Sequence, residues 1–455
     1  MPSVRAGPYR RGPMKRRLLK IGGALLALAI VVAGAGYAAY KLKLFAGVDT
    51  QRGDVAATNE ATAPPPKAPP PPKPSWPYFR YDERRLGFNP HATARPPFRV
   101  RWKTKLPPRG YLEAPGVLDN GVLVVGSYGK RFGSDLTAMD ASTGRVRWRR
   151  HYRHGSNYAG SAGIHNGVVY ATSHDGHLRA HSLRTGATIW QMRIAASESP
   201  PIVKGNLLYF GDGPPGGNGK FRAVDLRTRR VVWSFEASGT ISSGATLTSS
   251  TLYFASYGGS VYALNRFNGR LRWKSSVSGA RGQSVPFYST PAVADGKVIV
   301  GGLDGGVYAL NARTGDQVWS HSASNYVYPS AAVWQGRVFI GDFSGNFYAL
   351  SLSSGRELWR YSMGPIIGSA SVVRGVVYIS SLRPAKSYGL SAVDGKLLWT
   401  FPDGQFSPII ADQDRAWLMG KEAIYGLVMP RARRARPARP RPRPIRGSGT
   451  VNVLA

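Results

Sequence analysis

Seven times along this chain an Ala or Gly is followed ten positions later by a Trp. The units are TAMDASTGRVRW (137–148), RAHSLRTGATIW (179–190), RAVDLRTRRVVW (222–233), YALNRFNGRLRW (262–273), YALNARTGDQVW (308–319), YALSLSSGRELW (348–359) and YGLSAVDGKLLW (388–399). Their tryptophans, Trp148, Trp190, Trp233, Trp273, Trp319, Trp359 and Trp399, recur every 40 to 46 residues. A unit of that length made of strands and turns cannot bury both its faces alone, so neighbouring copies must cover it. The spacing predicts a β-propeller with one blade per repeat.

Each repeat divides into four strands. In the fifth, STPAVAD (289–295), KVIVGGL (297–303), VYALNA (307–312) and DQVWSHS (316–322) run from the axis outward. The first two strands are joined by tight turns such as Asn166-Gly167 and Asp295-Gly296, where Gly or Asn supplies positive φ. The third and fourth are joined through a Gly four residues before the Trp, except in the third repeat, where Arg229 stands there and predicts a different turn. A Trp on the outer strand buries a large apolar face between blades, and the Ala or Gly fits where blades approach closely.

The ends complete the count. FRVRWKTKL (98–106) is an outer strand with Trp102 but no partners, while FSPIIAD, RAWLMG and AIYGLVM (406–429) are three strands with no fourth. The expected fold class is therefore all-β: an eight-bladed β-propeller of four-stranded blades closed by the N-terminal strand, which removes two free sheet edges.

Outside the repeats the chain changes character. Residues 1–20 are basic with no acid, and residues 21–40 form an uncharged apolar run, followed by Lys41 and Lys43. Twenty such residues span about 30 Å of hydrocarbon as a helix, and the basic flank places residues 1–20 in the cytoplasm. The expectation is one transmembrane signal-anchor helix with the propeller extracytoplasmic in the cell membrane. Cleavage near AGAGYAA (33–39) is the competing reading. Residues 41–75 contain APPPKAPPPPKP, a polyproline spacer. The propeller takes 76–429, and 430–455 is an Arg/Pro-rich tail with the composition of a disordered segment. The formal net charge is +37, a large share of it at the two ends. Export disfavours nucleic acid as the partner of so basic a chain; membrane, partner protein or an anionic cell-envelope polymer remain. There is no cysteine, which excludes disulfides, thiolate metal sites, thiol catalysis and lipoprotein acylation.

The units resemble the pyrroloquinoline-quinone (PQQ)-like propeller repeat, A-x-(D/N)-x-x-T-G-x-x-x-W, best matched by Ala309, Asn311, Thr314, Gly315 and Trp319. The resemblance covers about 98–429, and WPYFRYDERRLG (76–87) is similar to a lead-in of bacterial members. That family includes quinoprotein dehydrogenases and the BamB assembly lipoproteins. The vicinal Cys pair of quinoprotein alcohol dehydrogenases is missing here, as is any Cys to acylate. The resemblance implies a membrane-anchored binding or scaffold module without catalysis. A quinone-dependent oxidoreductase is the alternative, with PQQ a cofactor that no residue in the chain specifically supports.

Candidate ligand-binding residues fall in two sets. Longer connections on one face, at 127–135, 211–221, 275–287 and 380–388, carry Lys130, Arg131, Lys220, Arg281, Arg383 and Lys386, which would suit an anionic partner. Residues leading into the innermost strands, among them Tyr111, Glu113, Tyr158, Glu198, Gln283, Tyr288, Tyr326 and Tyr328, would ring the channel mouth and suit a polar, partly flat ligand or simply plug the channel. His154, His174 and His177 with Asp175 form a metal constellation in type only. No nucleophile–base arrangement or catalytic carboxylate pair stands out.

Overall fold

A computed structural model describes residues 75–105, 112, 115–129, 133–152, 161–277, 284–406, 409–421 and 423–430. The apolar run 21–40, the Pro-rich spacer and the Arg/Pro tail lie outside these. Among the described residues no helix is long and apolar enough to cross a membrane.

The described residues form eight antiparallel four-stranded sheets. The fifth blade consists of Ala292–Ala294, Lys297–Gly301, Gly306–Asn311 and Gln317–Ser322. The pattern of burial follows from position. The innermost strands hold only two or three residues because eight of them converge on the axis. The second and third strands are covered on both faces and read as continuous apolar runs such as Val307-Tyr308-Ala309-Leu310. The outermost strand is covered on one side, so Trp319 is buried while Gln317, Val318 and Ser320 are exposed. Among the described residues eight apolar clusters are found, each made by two neighbouring blades; Trp148 and Val169 share one, Trp319 and Val338 another.

The last blade closes as expected. Its sheet runs Ile410–Ala411, Arg415–Met419, Ala423–Val428 and then Arg99–Lys105. Lys105 lies opposite Ala423 and Lys103 opposite Tyr425.

The repeat's small residue, Trp and Gly form one joint. Each Trp lies directly across from the small residue in register, as Trp319 does from Ala309 and Trp102 from Gly426. Its indole reaches the next blade. Trp148 Nε1 donates to the Leu183 carbonyl at 2.8 Å and Trp319 Nε1 to the Leu352 carbonyl at 3.0 Å. There it lies on the turn glycine: a Cβ on Gly186 would come within 2.6 Å of Trp148, and one on Gly355 within 2.5 Å of Trp319. Trp190 meets no such glycine, since Arg229 stands at that turn position, and neither does Trp399, because the closing blade takes its fourth strand from elsewhere in the chain and has no turn at this place. Phe98 packs edge-on against Trp399 instead, at 5.5 Å between ring centroids.

Three expectations are corrected. Arg229 does not change its turn: it adopts φ 58°, and its N–H donates to the Asp225 carbonyl at 2.7 Å, as Gly186 N–H does to Ser182. The Asp225 side chain accepts from the N–H groups of Arg227 and Thr228, holding the turn against a left-handed arginine's cost of about 1–2 kcal/mol. Residues 380–388 are no loop: Val376–Leu382 and Ala385–Ser391 pair throughout and leave only Arg383-Pro384 as the turn. Residues 127–135 likewise belong mostly to Val122–Gly129 and Gly133–Asp140. Ser and Gly, weak strand formers, masked both hairpin extensions.

One segment has no counterpart in the repeat. Residues 76–93 touch all eight blades in turn. Trp76 exchanges backbone hydrogen bonds with Leu118, and the Pro77 carbonyl accepts from Ile164. The Tyr78 hydroxyl donates to the Val203 carbonyl at 3.1 Å. The carbonyls of Glu83, Arg84, Leu86 and Gly87 accept from Leu247, Val293, Val333 and Val372, and Asn89 donates to Ala411. Two arginines of this belt are fully buried. Arg80 donates to the Ala331 and Ala370 carbonyls, and Arg85 to those of Ala245, Phe79 and Pro200. Burial lowers both guanidinium pKa values, to about 9 and about 10, so both stay cationic at neutral pH. The belt runs round the axis along the innermost strands, beside the short inner turns.

Candidate functional site

Beyond the belt, residues leading into the innermost strands line the axis. There a cavity of about 80 Å³ is lined by Glu198, Ser242, Tyr288, Tyr328, Ile367 and Phe406 among others, and Phe79 of the belt also lines it. Glu198, Tyr288 and Tyr328, picked from the sequence as residues leading into innermost strands, do converge here. Tyr326 joins them: Tyr257, Tyr288 and Tyr328 make an arc of edge-to-face rings that ends on Tyr326 and Phe343, both packed on Tyr328, with centroids 5.9–6.2 Å apart. Such pairs favour each other through the aromatic quadrupole. The outer members of the arc are exposed, Tyr326 by 50%, Phe343 by 38% and Tyr257 by 37%.

Beside the axis, over blades 2 to 4, lies a larger pocket of about 690 Å³. Its walls are Tyr257, Tyr288, Ile241, Pro215 and the backbone of Gly213, Gly216, Gly217, Gly239 and Gly258, with His174 and Glu198 at one side. Two of these glycines let its backbone walls approach closely: at Gly239 an added Cβ would meet the Gly258 amide at 2.2 Å. The Glu198 carboxylate is held at both oxygens, by His174 Nε2 at 2.8 Å and by the Tyr288 hydroxyl at 3.1 Å. Burial pushes its carboxyl up, but the hydrogen bond and charge of His174 and the bond from Tyr288 outweigh that and leave it below the ordinary value. The Tyr257 phenol is pushed up to about 12, first by burial and then by the Glu198 charge and Tyr328. The pocket thus presents one ionised carboxylate between neutral phenols.

Of the histidine constellation, His174, His177 and Asp175 fall among the described residues. His174 turns to Glu198, while Asp175 is gripped by Arg179 at 2.5 Å, with His177 Nδ1 3.4 Å from its carboxylate. Among the described residues no group of three metal-ligating side chains comes together. His154, Tyr111, Glu113, Tyr158, Gln283, Lys130, Arg131 and Arg281 lie outside the described residues. Of the remaining basic candidates, Lys220 is exposed on blade 3 and Arg383 on blade 7, across the ring from each other. Lys386 is half-buried, its ammonium 5.3 Å from the Tyr388 ring centroid. These three do not form a patch.

The sequence reading missed Tyr257. It sits in SYGGS (256–260), between the second and third strands of blade 4, and an exposed aromatic beside a Gly pair in such a turn was the available signal. The axial cavity of about 80 Å³ is several times smaller than the roughly 300–1,000 Å³ of ordinary ligand pockets. The off-axis pocket is large enough but offers a single carboxylate and no metal-ligating cluster among the described residues.

The relatives of the chain agree with the architecture. BamB of Nitrosomonas eutropha is 24% identical over 240 residues, which is 50% of this chain and 56% of that protein. The chain thus spans little more than half of that relative. Among solved structures, a europium-containing methanol dehydrogenase superposes with a TM-score of 0.67 at 12% identity, over 78% of this chain and 98% of that one. BamB from Moraxella catarrhalis superposes with a TM-score of 0.58 at 15% identity, over 73% and 100%. At these identities both establish the fold alone. Residues 96–215, 217–364 and 327–427 match the family described as outer membrane protein assembly factor BamB, and the chain belongs to that family of PQQ-like repeat propellers.

Proposed function

We propose that this chain is a non-catalytic, membrane-anchored propeller that binds a partner protein of the cell envelope through its aromatic face. The arc from Tyr257 to Phe343 carries this reading. It is an exposed aromatic surface held rigidly by eight closed blades, and exposed Tyr clusters are what protein interfaces use as anchors. The relatives named for outer membrane protein assembly support a partner protein over a substrate, and the apolar run 21–40 supports tethering with the propeller outside. Co-purification from native membranes tests it. Replacing Tyr257, Tyr326 and Phe343 by Ser should release proteins that the wild type retains while leaving the melting temperature unchanged. Retention of the same proteins by this triple variant would refute it. Protease added to intact spheroplasts should degrade residues 76–429; a protected propeller would refute the orientation.

A second reading has its own observation. The outermost strands of blades 8 and 1 are neighbours; the first carries exposed Arg99, Arg101, Lys103 and Lys105, and exposed Arg145 leads into the second, none ion-paired among the described residues; Arg147 and Arg149 beside them face Asp140 and Asp135. This edge suits an anionic cell-envelope polymer better than the scattered loop cations do. Reversing Arg99, Arg101 and Lys103 to Glu should abolish salt-sensitive binding to anionic envelope polymer.

A further inference from the structure

The pocket beside the arc has a charge opposite to that of the chain. In a protein of net charge +37, the described residues of its lining include one carboxylate, Glu198, and no Lys or Arg. Two phenol rings, Tyr257 and Tyr288, stand at 84° to each other with centroids 6.2 Å apart, forming two adjoining walls beside that carboxylate. A cation is attracted to aromatic faces as well as to a carboxylate, and a planar guanidinium can do both at once. Among the described residues the only ion-pair partner of Glu198 is His174. A volume of about 690 Å³ leaves space for a long side chain.

We propose that this pocket receives an arginine side chain, or with a looser fit a lysine, from the polypeptide of the partner. The inference rests on the partner-protein reading above and adds the chemistry of the contact. The guanidinium lies against Tyr257 and Tyr288 and bonds Glu198, while the aliphatic stem packs on Pro215 and Ile241. Arg is favoured over Lys because its flat, weakly hydrated head matches ring faces and a carboxylate edge.

Titration calorimetry on the full chain in detergent tests this. The probes are acetyl-Gly-Arg-Gly-amide, its Lys counterpart, and the citrulline peptide, a neutral isostere of the first. The Arg peptide should bind saturably, the Lys peptide more weakly, and the citrulline peptide at least 10-fold more weakly than Arg. Glu198→Gln should weaken the Arg peptide at least 10-fold while leaving the citrulline peptide unchanged. No saturable binding of the Arg peptide to the wild type, or equal binding of Arg and citrulline peptides, overturns the inference. If Glu198→Gln lowers the melting temperature, Tyr257→Leu decides instead: it should weaken the Arg peptide several-fold, and an unchanged affinity overturns the proposal. The two readings fail differently. Partner retention abolished in the aromatic triple variant, with no Arg-peptide binding, sinks only the pocket; partner retention unaffected in the triple variant sinks the partner-protein reading itself.

Discussion

Gly355→Ala should destabilise the propeller through a contact made in the next blade, and the size of the effect can be divided. Gly355 has φ +72°, a conformation that costs a residue with a Cβ about 1–2 kcal/mol. The new methyl would also stand 2.5 Å from Trp319 Cε3 and 2.6 Å from Cδ2. The indole cannot move aside easily, being 7% exposed and fixed by its bond to Leu352. Overpacking of this kind costs about 1–3 kcal/mol, so the single variant should lose about 2–5 kcal/mol. Trp319→Ala alone should lose about 3–5 kcal/mol. In the Trp319→Ala background the clash is gone, and Gly355→Ala should cost only its backbone part. The two changes should therefore be non-additive by about 1–3 kcal/mol. Urea unfolding followed by circular dichroism and fluorescence gives the four corners of the cycle, with coincidence of the two probes justifying a single transition. Additive losses would refute the Trp-on-Gly joint as the element that locks blade to blade.

Deleting residues 96–106 should unfold or aggregate the propeller, since the last blade loses Arg99–Lys105 and Ala423–Val428 becomes an open edge; a deletion that melts like the wild type would refute closure. Arg85→Ala strands three carbonyls, two of them buried, and should cost about 3 kcal/mol or more, and limited proteolysis should then cut within 75–95; resistance equal to the wild type would show the belt is held without it. Acid should weaken the fold between blades 1 and 2. Burial first, then Arg179 and Arg150, depress the His181 pKa to about 4. The unfolded chain, with an ordinary imidazole near 6.5, binds the extra proton first, so stability should fall as pH drops from about 6.5 to 4 and then level off, by roughly 3 kcal/mol in all. His181→Gln should flatten that part of the profile; an unchanged slope would mean another group titrates there.

The repeat alone determined the eight blades, their four strands and the closure by the N-terminal strand. A spacing of 40 to 46 residues with a small residue, a glycine and a tryptophan at fixed offsets is a local pattern, and most copies make the same joint with the next. Glu198, Tyr288, Tyr326 and Tyr328 were also legible, because position within the repeat says which residues face the axis. Tertiary structure decided the rest. The belt 76–93 matches no repeat, and its partners lie as far as 322 residues away, as with Asn89 and Ala411; no periodicity can report contacts made once. The hairpin of blade 7 is set by pairing with its neighbours against weak local propensity, and Arg229 is held in a left-handed turn by the hydrogen bonds around it. The acidic pocket exists only because the closed ring brings His174, Glu198, Tyr257 and Tyr288 from successive blades to one rim, joining Tyr257, which nothing in the sequence reading singled out, to Glu198 and Tyr288 in one surface.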